Sequence, residues 1–297
     1  MTPELLLELF CLIDDELQAL NLPRLRRRGP APKLTDSEVI TIELAGEFAK
    51  LGTDRDLFRH FRRYHAAEFP ALARVHRTTF ARQAANLMRV KQLLQARLAG
   101  KLAGADAVWL ADSLPVHACQ FARAKFCRRF RGAAGYGYDH LIKRTFYGFR
   151  LHLRTTREGI ILGYELAAAG AGEAAVLPEL APPEGSTGVG DRGYGGTPLR
   201  QGMAGRGVRL LAPRRRKCED GPGDKERAAA LASVRYRIEA VNGQLAERYG
   251  IKRAWARDLW HRCHRLARKI LSHTAMIRLA VRHHLPPLSF DGLLPAA

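Results

Sequence analysis

The sequence predicts an α/β protein, a mixed-sheet domain preceded by an all-α region. Three observations predict it. Apolar residues recur at helical spacing through the N-terminal third, with capping signals between them. After Gly104 the period shortens to two, and short apolar runs alternate with helical stretches. The chain has 297 residues, 46% of them hydrophobic, which is enough for two domains and a sizeable core.

The helical region reads in order. Thr2-Pro3-Glu4 starts a helix with the stripe Leu5, Leu6, Leu9, Phe10, Ile13 and Leu17. Thr35-Asp36-Ser37-Glu38 is a capping box that opens a second helix, ending near Gly52. Thr53 caps a third, which carries Arg55, Arg59, Arg62 and Arg63 around Leu57, Phe58 and Phe61. Two helices joined by a glycine-containing turn, the second basic, suggest a helix-turn-helix; a plain bundle with a solvated basic face explains the pattern equally well. One longer helix is expected from Thr78 to Leu102. The region is taken as residues 1–103, a DNA-binding unit.

Residues 104–297 form the second domain. Ala107 to Asp112 is a short apolar strand, and Arg144 to Thr155 alternates as a strand. Glu158-Gly159 turns the chain into a returning strand, Ile160 to Ala167. A helix of small residues (Glu173 to Leu180), a very short strand before Asp191 and a strand from Val208 to Ala212 follow. Val234, Ile238, Val241 and Leu245 then step as a helix, and a last helix repeats Leu259, Cys263, Leu266, Ile270 and Ile277. Strands in this order, with helices between them, fit a mixed sheet covered on its faces.

Charge narrows the partners. Lys and Arg number 49 against 29 Asp and Glu, a net charge of +20, and the usual offset for such an excess is nucleic acid. The five cysteines contain no Cys-x-x-Cys pair, which argues against a disulfide framework or a cysteine zinc site and for a reducing, cytoplasmic setting. The apolar stretch Leu5 to Ile13 is flanked by Glu4, Asp14 and Asp15, so it reads as a helix, not as a signal-peptide core. No stretch has the roughly 18 apolar residues that a membrane span needs.

Three acids stand where chemistry on a phosphodiester wants them. Asp112 ends the first strand and shares a face with Val108 and Leu110. Asp191 follows the short fourth strand within Gly190-Asp191-Arg192-Gly193-Tyr194, and Glu239 lies on the late helix beside its apolar stripe. Two hard cations held by such carboxylates activate a water or a 3′ hydroxyl and stabilise the leaving oxygen. Each acid also has a plain reading: Asp112 and the Gly190–Gly193 segment as turns, and Glu239 as a helical acid paired with Arg235. Asp106, Glu165, Glu173 and Asp220 are competing acids.

Asp112-Ser-Leu-Pro-Val, Tyr147-Gly-Phe-Arg-Leu-His152, Gly190-Asp191-Arg192-Gly193-Tyr194 and Arg237-Ile-Glu239, followed by Leu245 and Arg248, resemble the motifs of DDE transposases of bacterial insertion sequences. Lys33-Leu-Thr-Asp-Ser-Glu-Val resembles a segment of insertion-sequence family 982. The resemblance implies a ribonuclease-H-like catalytic domain and two magnesium or manganese ions on Asp112, Asp191 and Glu239. It also implies action on terminal inverted repeats; two ends must be held together, so a homodimer on transposon-end and target DNA, near the nucleoid, is expected. The sequence departs from related families at Ala232 and Ala246, where Tyr and Lys are common; Arg235 is kept and Arg248 is the candidate for the end-binding role of the Lys.

Residues 115–144 read as an irregular basic insert beside the acids, with Arg123, Lys125, Arg128 and Arg129 among Phe121, Phe126, Phe130, Tyr136 and Tyr138. Such a mixture suits phosphates and unstacked bases; the plain alternative is a surface loop. Arg214, Arg215, Arg235 and Arg248 are further candidate DNA contacts, His117, His140 and His152 are read as structural or phosphate-contacting, and His261 to His264 as one face of a basic helix. Two other functions stay open: a nuclease of the same fold that does not join strands, and a non-catalytic DNA-binding regulator.

Overall fold

A computed structural model of the chain describes residues 1–23, 25, 29–104, 107–213 and 224–293, with the backbone alone for 224–235. The chain divides into two compact units: Met1–Leu102 with Glu247–Gly250 and Trp260–Ala297, and Ala103–Ala246 with Ile251–Leu259.

In the first unit, α1 (Pro3–Leu20) is capped by Thr2, whose hydroxyl accepts from the Leu5 amide at 3.3 Å. α2 (Asp36–Phe48) opens on the expected capping box between Thr35 and Glu38, and it is buried continuously from Val39 to Phe48. α3 (Asp54–Tyr64), capped by Thr53, buries only Leu57, Phe58 and Phe61 and leaves its arginines at the surface. The single helix expected from Thr78 to Leu102 is two, α4 (Arg77–Asn86) and α5 (Met88–Ala103). At the break the Lys91 ammonium donates to the Ala84 carbonyl at 2.8 Å, satisfying a last-turn acceptor.

The described residues of the second unit form six strands. β1 (Val108–Gln120) runs eight residues past Asp112 instead of ending there. β2 (Gly135–Asp139) and β3 (Arg144–Thr156) follow, then β4 (Ile161–Ala168); β2 and β4 share one edge of β3, and β1 pairs antiparallel along the other. After α6 (Glu173–Val176), β5 (Thr187–Gly190) lies parallel to β1. After α7 (Thr197–Ala204), β6 (Arg209–Leu211) lies parallel to β5. Three antiparallel strands continued by two parallel ones, in the order β2-β3-β1-β5-β6 with β4 also on β3, form the ribonuclease-H-like arrangement. The parallel ladder stops at Ala111 and Gly190, so Pro115 sits where β1 has a strand on one side only and a missing amide costs no ladder bond.

Each face of the sheet has its own core. Trp109 and Ala111 pack with Leu177, Leu180, Tyr194 and Met203 on one side. Leu110 and Val189, with Val108 and Leu211, pack against Ile238 of α8 (Asp224–Glu247) on the other. Val108 and Leu110 thus share a face as expected, and Asp112 continues it towards α8.

The last helix, α9 (Leu259–Arg282), belongs to the first unit, whereas the sequence pattern groups it with the strands. Its cations explain the difference. Arg268 and Lys269 both pair with Glu47 of α2, and the Arg268 guanidinium also reaches Asp54 at 2.6 Å. Glu43 takes Lys91 and, at 3.3 Å, His264. The segment from His261 to His264 is therefore no open basic face, because Arg262 and His264 are buried. No described helix is long and apolar enough to cross a membrane.

Candidate active site

Asp112 and Asp191 are each the first residue beyond the last ladder pair, Ala111 with Gly190, of two adjacent parallel strands. The carboxyl ends of neighbouring parallel strands are where open α/β sheets place ligands. Asp112 is held at both oxygens: Oδ1 accepts from the Ser113 amide at 2.7 Å and Oδ2 from the Asn242 side chain at 2.6 Å. Asp191 accepts from the Gly193 amide at 2.8 Å. Burial pushes the Asp112 carboxyl up to about 7, and the charges of Asp191 and Glu173 push the same way.

Glu173, at the start of α6, is the third carboxylate gathered here. Ser113 donates to it at 2.8 Å and the Arg150 guanidinium lies 3.7 Å away. Burial raises its carboxyl above the ordinary range, and the charge of Asp191 adds to the effect. Tyr194 closes the floor; burial, then the charges of Glu173, Asp112 and Asp191, keep its proton on.

Glu239 stands exposed on α8, one helical turn before Asn242. The sequence named Asp112 and Asp191, which stand at the paired strand ends, and Glu239 on the helix that carries Asn242. It missed Asn242, Ser113 and Arg150, although Asn242 is three residues from Glu239, the spacing that puts two side chains on one helix face.

Among the described residues no three His, Cys, Asp or Glu side chains lie close enough to hold a metal ion as they stand. The donor set nevertheless fits a hydrated hard cation. Its ligating atoms are carboxylate oxygens that repel one another, and two buried polar atoms beside them, Asn242 Oδ1 and Tyr194 Oη, have no hydrogen-bond partner among the described residues.

The other predicted residues lie elsewhere. Arg55, Arg59, Arg62 and Arg63, joined by His76 and Arg77, line an open cavity of about 510 Å³ in the first unit. Arg123, Lys125, Arg128 and Arg129 are exposed beyond the end of β1 and so do not begin beside Asp112. Phe130 is buried edge-on against Phe149. Arg248 lies over the Phe48 ring at 4.9 Å, with Asp291 at 3.7 Å. Arg214, Arg215, Asp106 and Asp220 fall outside the described residues, as does the side chain of Arg235. His117 bonds to buried Asp139 at 3.1 Å, and buried His152 has no partner at either ring nitrogen among the described residues.

No curated protein sequence matches the chain at a significant level. A solved structure that is similar is the cryo-EM synaptic complex of piggyBac transposase with hairpin DNA, at 11% identity and a TM-score of 0.47, over 96% of this chain and 75% of that one. The family described as "Transposase DDE domain" matches residues 102–259, more than half of the sequence and all six strands. The chain therefore belongs to the transposase DDE domain family.

Proposed function

We propose that the protein is a DNA transposase of an insertion sequence, which binds terminal inverted repeats, cleaves a strand at each end and joins the ends to target DNA. The observation that carries this reading is the placement of Asp112 and Asp191 at paired strand ends, with Asn242 of α8 bonded to Asp112. Transposase DDE domains generally use divalent cations. Asp112, Asp191 and Glu239 are the residues assigned to hold two magnesium or manganese ions, which when bound supply an activated water or 3′ hydroxyl and stabilise the leaving oxygen. The chain's own part is positional. Asn242 and the Ser113 amide fix the rotamer of Asp112, Gly193 does the same for Asp191, and Tyr194 shields the floor from water. The arginine-lined cavity of the first unit takes backbone phosphates of the end. Two ends must be held together for joining, so the active species is a homodimer on DNA.

The test incubates the protein with magnesium and duplex DNA carrying candidate ends. Nicking with joining is expected. Asp112→Ala, Asp191→Ala and Glu239→Ala should each reduce cleavage to background while DNA binding survives. Magnesium-dependent cleavage by any one variant removes that residue from the site. Nicking without joining identifies a nuclease, and neither activity identifies a binding regulator.

A further inference from the structure

The far end of the sheet carries an aromatic row that the cleavage chemistry leaves unused. β2 begins Gly135-Tyr136-Gly137-Tyr138, and strand alternation sends the tyrosines to one face and the glycines to the other. The inner position at Gly137 has no room for a side chain: a Cβ there would lie 2.8 Å from the Ala169 Cβ. The strand therefore sits tight and holds its tyrosines outward. Tyr136 pairs across the sheet with Tyr147, and Tyr147 pairs with Cys119. Ring centroids are 5.3 Å apart for Tyr136 and Tyr147, and 5.7 Å apart for Phe121 and Tyr136. Phe121 is 58% exposed and Tyr136 51%. Five exposed cations, Arg123, Lys125, Arg128, Arg129 and Arg131, lie between Phe121 and Tyr136, and residues 121–138 contain no acid.

The composition of this patch selects its occupant. An apolar protein surface would gain nothing from five bare cations, and an acidic peptide would not need three linked rings. A duplex keeps its base faces stacked inside. A polyanion that presents flat faces is an unpaired nucleic-acid strand. We propose that Phe121, Tyr136 and Tyr147 form a platform on which the bases of an unpaired strand stack, with the arginines and lysine of residues 123–131 holding its phosphates. The platform is not the cleavage pocket. Cys119, opposite Tyr147, is seven residues along β1 from Asp112, roughly 23 Å at the rise of a strand. The platform rests on the reading of the partner as nucleic acid, but not on the catalytic assignment.

The experiment measures fluorescence anisotropy of the full-length protein with one labelled oligonucleotide, as a single strand and as a duplex, at one salt concentration. Phe121→Ala and Tyr136→Ala should each weaken single-strand binding on the order of tenfold and leave duplex binding within about twofold. Tyr136→Phe keeps the ring and should bind as the parent does. Tyr136→Leu keeps apolar bulk without a flat face and should bind as weakly as the alanine variant, which separates stacking from loss of packing. Asp112→Ala should keep single-strand binding, so a failure of the catalytic assignment leaves this result intact. Equal losses on single strand and duplex, no loss on either, or parental binding by Tyr136→Leu would each overturn the platform.

Discussion

Gly193 holds its place against two carboxylates. A Cβ there would come 1.5 Å from Glu173 Oε2 and 3.0 Å from Asp191 Oδ1, so even alanine must push Glu173 away from its bond to Ser113. Gly193→Ala should therefore lower cleavage on the order of a hundredfold, the usual cost of a misplacement near one ångström. The variant should fold normally, because the change lies at an open strand end; full activity with an unshifted melting curve would show that Glu173 does not matter. Asp112 and Asp191 were legible from sequence because each ends an apolar run, where a carboxylate needs a reason to be. Glu173 stood only among the competing acids and Asn242 was not named, since a helix-start acid and a mid-helix amide look ordinary until the fold brings them to the same strand ends. Glu43 and Glu47 were hidden for the same reason. Their cations on α9 lie more than 200 residues away.

Helix α3 and helix α9 are cationic elements with opposite fates. The arginines of α3 face solvent around an open cavity, and among the described residues Arg59, Arg62 and Arg77 have no acidic partner. Replacing Arg59, Arg62 and Arg63 together by alanine should flatten the dependence of DNA affinity on salt, by about one unit of log–log slope for each phosphate no longer neutralised. Titrations from low to moderate salt measure it, and an unchanged slope would assign the cavity some other role. In α9, Arg268 is buried between Glu47 and Asp54, and the two cations Arg268 and Arg265 hold Asp54 down at about 2 against its desolvation. Removing Arg268 leaves buried carboxylates uncompensated, so Arg268→Ala should cost about 3–5 kcal/mol in urea unfolding. A loss below about 1 kcal/mol would mean that water takes over the pairing. Most elements were legible, because capping boxes and strand alternation are local signals. The length of β1 and the allegiance of α9 were not, because each depends on partners distant in sequence.

At the scale of the whole molecule, acid acts on both units through buried imidazoles. Burial pushes His273 down to about 3; burial, with the charge of Arg150, pushes His152 down to about 4. His264 is lowered too, by burial and then by Lys91. The folded values lie below the ordinary 6.5, so the unfolded chain takes up protons first as the pH falls. Stability present at neutral pH should thus decline from about 6.5 downward, by about 1 kcal/mol per histidine one pH unit lower. Melting curves of the parent and of His152→Leu measure it; identical pH dependence in the two would remove His152 as a source. The net charge of +20 also makes the chain self-repelling in the absence of a polyanion.

The return of α9 to the first unit bears on the order of synthesis. Glu43 and Glu47 leave the ribosome early, while Arg268 and Lys269 emerge only after every strand of the second unit has been made. Until then Glu47 of α2 lacks both of its cations, and its burial would cost more than it returns, while Glu43 has Lys91 alone. A polypeptide cut short within the sheet therefore displays the arginines of α3 on an unfinished scaffold. The unit assigned to hold DNA is completed only once the unit assigned to cut it already exists.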